Sequence, residues 1–156
     1  MTIPFRPHPE GVEVKLPDWL VAFLSDVPLL LEGVGDQEGD PAAERFRPPV
    51  YLDDQESSDD WWHWMGSELE QSKVADRSAF ELIIADAATG VVASPAEAEA
   101  MMRVLGQARL VLAARMGVDI EADYESLDAH SAAVLDTLAQ LQEALIHALS
   151  QSTDED

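Results

Sequence analysis

The sequence predicts a mainly α fold: a helical bundle of about four to five helices with a small N-terminal β-hairpin-like segment. Three observations predict it. Leu127, Val134, Leu135, Leu138, Leu141, Leu145 and Leu149 recur at helical spacing and mark one face of a C-terminal helix. Ser94-Pro95-Ala96-Glu97 places a capping Ser, a Pro at the first helical position and a Glu able to close a capping box. Period-two alternation marks Gly11 to Leu16 near the N-terminus. A chain of 156 residues, 47% hydrophobic, fits one domain, taken here as residues 1–150 with a frayed acidic tail at 151–156.

The elements follow in order. Residues 1–17 form the β-like segment, turning at Pro7 and Pro9. Pro17-Asp18 opens an apolar helix over Trp19, Leu20, Phe23, Leu24 and Val27, which Pro28 kinks or restarts. Glycines and prolines fill residues 32–52, a loop-rich connection with at most one short helical turn at 41–46. The acids of 53–60 suit a helix N-terminus, and the helix they open runs to about Lys73. A further helix spans about Asp76 to Ala88, with Gly90 at its end, and Val91–Ala93 is extended. The helix opened by Ser94 stops at Gly117, and a linker with acids at 119, 121, 123 and 125 leads to the leucine-striped helix.

Charge excludes several function classes. The net charge is −22, with −10 on residues 18–60, −10 after Gly117 and +1 on residues 91–117. Nucleic-acid binding needs Lys and Arg to neutralise phosphates, so this field repels DNA and RNA, and anionic lipid equally. A protein partner with a basic surface is the partner it favours; plain solubility is the competing reading. The absence of cysteine removes disulfides and thiolate chemistry. No leader is expected from the N-terminal residues, and no membrane span from the hydropathy, so the expected location is cytoplasmic.

No catalytic signature appears: there is no G-x-S-x-G, Walker loop or H-E-x-x-H. The acids after Asp119 fail the calcium-loop template, with Tyr124 and His130 where Gly and Glu belong. No cofactor is expected. The weak metal alternative is Asp59, Asp60 and His63, one helical turn apart. Trp61, Trp62 and Trp64 spread over about 160° of helix surface, wider than a single core stripe. Either their helix is buried on two sides or one indole is exposed as a binding patch.

Arg109 lies within about 20° of Ala98 at the helical period, on the face of Met102, Leu105, Leu112 and Met116. A core-facing guanidinium needs a partner, so Arg109 is expected to pair with Glu68, Asp86 or Gln142. An anion-binding Arg109 is the alternative.

A family resemblance rests on Asp40-Pro41-Ala42, Arg45-Phe46, Val50-Tyr51-Leu52-Asp53-Asp54, Lys73, Arg77, Ser94 to Glu99, Arg109 to Val118, and Leu141 to Leu145. Over about Leu29 to Leu149 the chain resembles an uncharacterised, mostly actinobacterial family, the domain of unknown function numbered two thousand and seventeen. Arg109 to Val118 is its most specific run; Gln107-Ala108 stand where members often carry Asn-Asp. The family has no established activity. Its genes commonly lie beside that of the Clp protease adaptor, which implies a proteolysis-linked or regulatory role. The expectation is therefore a non-enzymatic regulatory or protein-interaction domain, a homodimer through the Trp helix being compatible. The alternative is a ligand- or metal-binding domain, or an enzyme, with a pocket near Arg109.

Overall fold

The computed structural model describes residues 3–46 and 53–154, the side chains of 153 and 154 excepted. Arg47 to Leu52, which include the Val50-Tyr51-Leu52 part of the family motif, and the last two residues lie outside the described set. Among the described residues, strands β1 (Phe5–His8) and β2 (Gly11–Val14) are followed by helices α1 (Asp18–Ser25), α2 (Val27–Glu32) and α3 (Pro41–Phe46). Then come α4 (Gln55–Asp86), strand β3 (Val91–Ala93), α5 (Pro95–Arg115), α6 (Glu121–Glu125) and α7 (Ala129–Asp154). The fold is mainly α.

The hairpin becomes a three-stranded antiparallel sheet of order β1-β2-β3. Phe5 pairs with Val14, and Val12 with Ala93, so the buried side chains share one face, as a two-residue period requires. Gly11 is required there: its φ is +145°, and a Cβ would sit 1.9 Å from the Ala93 carbonyl oxygen. The sheet packs on α7.

Helix α5 is the central element, packed against α4, α7, α3 and α2. The capping box that opens it is formed in full: Glu97 N–H donates to Ser94 Oγ (3.1 Å) and Ser94 N–H to Glu97 Oε1 (2.9 Å). Its end is marked by Gly117, whose φ of +79° is the left-handed conformation that favours glycine. Ala98, Met101, Val104, Leu105, Ala108, Val111 and Ala114 are buried along it. Alanine at three of these positions lets neighbouring helices approach closely. Beside them, a Cβ on Gly106 would meet Gln142 Nε2 of α7 at 2.8 Å.

Three expectations need correction. The two helices anticipated over about 61–73 and 76–88 are one helix, α4, because no Pro or Gly interrupts residues 67 to 86. Val91–Ala93 is extended, as expected, and forms the third strand of the sheet. The acidic linker contains the short helix α6, where Asp123 accepts from the N–H groups of Asp119 (3.0 Å) and Ile120 (3.2 Å). The tail does not begin at 151: α7 continues to Asp154, and the buried Ser152 donates its hydroxyl to the His8 carbonyl at 2.9 Å. That tie to β1 extends the helix beyond its last leucine. No helix of the described residues is long and apolar enough to cross a membrane.

Candidate functional site

Helix α4 has 32 residues and spans about 48 Å at 1.5 Å per residue. Asp54 caps it, accepting from Ser57 N–H at 3.1 Å and from the Ser57 hydroxyl at 2.7 Å. Those bonds hold the Asp54 carboxyl below its usual range. The C-terminal third carries Phe80, Ile83 and Ile84 into the core, whereas earlier in the helix the buried residues are Ser58, Gly66 and Arg77.

Along the N-terminal half, Trp61 and Trp62 are half-buried and meet edge to face, ring centroids 4.8 Å apart. Trp64 is 80% exposed, with Met65 and Leu69 also exposed. Trp61, Met65 and Leu69 follow one another at i, i+4 and i+8, an apolar stripe half-buried at Trp61 and exposed at Met65 and Leu69. Residues 53–72 contribute seven acids and no Lys or Arg. The alternative of an exposed indole therefore describes Trp64, and the alternative of burial describes part of Trp61 and Trp62.

Beside the middle of α4, several residues that carry the resemblance come together. Arg115 donates to Asp40 through Nη2 (2.8 Å) and Nε (3.2 Å), and Asp40 also accepts from Gly35 N–H and Ala42 N–H. The guanidinium bond, then the Gly35 bond, hold the Asp40 carboxyl far below the usual carboxylate range. Arg45 reaches the Val118 carbonyl (3.2 Å) and Asp119 (2.8 Å). Lys73 Nζ stands 4.2 Å from the centroid of the Phe46 ring. The segment from Gly33 to Phe46 is thus latched to the end of α5 and to α4. Clefts of about 490 Å³ and 340 Å³ lie on its two sides, the first reaching Arg115 and the second Lys73 and Arg77.

Arg109 is not where its spacing placed it. It is exposed, and of its three expected partners it meets Gln142: its Nη1 donates to Gln142 Oε1 at 3.4 Å, a long hydrogen bond to a neutral amide rather than an ion pair. Neither Glu68 nor Asp86 reaches it, and it lines neither cleft. The core arc of α5 is centred on Met101, Leu105 and Ala108, because α4 and α7 pack on both sides of it. Position 109 turns outward from that arc. Asp59, Asp60 and His63 also fail to assemble: no group of three such ligands gathers among the described residues, and Asp59 accepts from Gln55 instead. Consecutive helical positions diverge by about 100°, which separates 59 from 60.

Sequence reasoning missed the buried guanidinium of Arg77, whose Nη2 lies 3.6 Å from Glu70 Oε1. Its signal was available: Arg77, Phe80 and Ile84 stand at i, i+3 and i+7, one face of the helix. Gln107 Oε1, buried without a hydrogen-bond partner, had no such signal.

Neither the curated proteins nor the solved structures contain a match to this chain. A family model described as Domain of unknown function (DUF2017) matches residues 2–149, which takes in the sheet, the latch and both clefts. The chain belongs to that family.

Proposed function

We propose that the protein is a non-enzymatic, regulatory interaction domain that engages a basic protein segment through the N-terminal half of α4. One observation carries this reading: Trp64, Met65 and Leu69 are exposed in a stretch, residues 53–72, that bears seven acids and no Lys or Arg. Exposed Trp on a rigid helix is the kind of anchor that dominates interface energetics. The surrounding carboxylates select a cationic partner and speed its approach. A second copy of the chain is a poorer occupant, because the two acidic segments would face each other. The regulatory setting we propose, beside the Clp protease adaptor, comes from the family's gene neighbourhood, and the binding chemistry comes from α4.

The test compares the wild-type chain with Trp64→Ala in pull-downs from native lysate. The expected result is a stoichiometric partner retained at low salt, released at high salt and missing from the variant. Retention of the same partner by Trp64→Ala would remove α4 from the interface.

A further inference from the structure

Arg77 is 8% exposed, yet its guanidinium makes no hydrogen bond to a described residue; its nearest carboxylate, Glu70, is 3.6 Å away. A guanidinium carries five N–H donors, and the Glu70 contact leaves those of Arg77 to the solvent of the cleft it lines. The same side chain lines the cleft of about 340 Å³ between α2, α3 and α4. Leu31, Val34 and Phe46 supply an apolar floor to that cleft, and Lys73 adds a second positive charge above the Phe46 ring.

We propose that this cleft binds a small monocarboxylate with a branched apolar tail, its carboxylate on Arg77 and its tail on Leu31, Val34 and Phe46. The planar fork of a guanidinium matches a carboxylate through two parallel N–H bonds, which a 3.6 Å contact with Glu70 does not achieve. Glu70 is 54% exposed on its side chain and can turn to water as the ligand enters. The lining carries Glu32, Asp36 and Glu70 against Lys73 and Arg77, so a single negative charge on the ligand only replaces that of Glu70 as it turns out, and a second is disfavoured. That excludes phosphate esters and dicarboxylates as ligands. The volume lies near the lower end of ligand sites, which limits the tail to a few carbons. The site is independent of the α4 surface around Trp64.

The probe is 3-methylbutanoate, titrated into the full chain by calorimetry and followed through the Arg77 Nε–H resonance. Saturable binding with a shift of that resonance is expected. 3-Methylbutanamide and inorganic phosphate should each bind at least tenfold more weakly. Arg77→Lys should weaken binding by about tenfold or more, because it removes the two-point fork. Ala43 of α3 also lines the cleft, and Ala43→Leu narrows it while keeping Arg77, so it should abolish binding with the helical circular dichroism unchanged; it decides the matter if Arg77→Lys fails to fold. No saturable binding by the wild-type chain, equal binding of phosphate, or full binding by Ala43→Leu would each overturn the proposal.

Discussion

Arg115 at the end of α5 and Asp40 at the start of α3 form a two-point pair, 2.8 Å and 3.2 Å, with the Asp40 side chain only 5% exposed. The carboxylate gathers four hydrogen bonds, two from the guanidinium and two from backbone N–H groups. It organises the turn around itself.

Because its pKa is lowered in the folded state, Asp40 contributes stability that is fully present above its unfolded value of 3.8. Below that pH the unfolded chain takes up the proton first, and the contribution is lost progressively as pH falls. Asp40→Asn should therefore be less stable than the wild type by a constant margin from pH 5 to 7. That margin should shrink between pH 4 and pH 2.5. Urea unfolding across this range reads it directly; a margin unchanged at pH 2.5 would show that ionisation of Asp40 is not the source.

Ser94→Ala removes the acceptor for Glu97 N–H and opens the capping box of α5. A lost N-cap of this kind costs about 1 kcal/mol, equivalent to a melting-point fall of about 2–4 °C in a chain of this size. Thermal denaturation followed by circular dichroism checks it. Glu97→Ala should cost less, since the Ser94 cap survives it.

What was legible in the sequence was local. Ser94 and Gly117 bound α5 because capping chemistry depends on residues within one turn of each other. The leucines of α7 marked its buried face: Leu135, Leu138, Leu141 and Leu145 are buried, and His147 is exposed. The latch was not legible, since Arg115 and Asp40 lie 75 residues apart and no spacing rule relates them. Arg109 shows the complementary failure. The helical period fixes its angular position, but the direction of the core depends on where α4 and α7 pack, which a single helix does not encode.

Arg103 of α5 grips Asp76 of α4 through Nε (2.8 Å) and Nη2 (2.9 Å). Arg103 is half exposed, so water and salt screen the pair despite its two-point geometry. Arg103→Met should cost about 0.5–1 kcal/mol in dilute buffer and less in 1 M salt. A double-mutant cycle with Asp76→Asn isolates the pair from the packing of the arginine stem. A coupling unaffected by salt would contradict this view of the contact.

Phe80 and Trp64 stand on the same helix and separate its two duties. Phe80 is fully buried in the core, so Phe80→Ala should cost about 3–5 kcal/mol, a loss visible in any denaturation curve. Trp64 projects into water, and Trp64→Ala should change stability by no more than about 0.5 kcal/mol. The contrast matters for the interaction test: a variant as stable as the wild type loses binding only through the contact it lacks. A substantial fall in stability for Trp64→Ala would instead mean that its indole packs against the fold, and the exposed apolar surface of α4 would lose its Trp anchor.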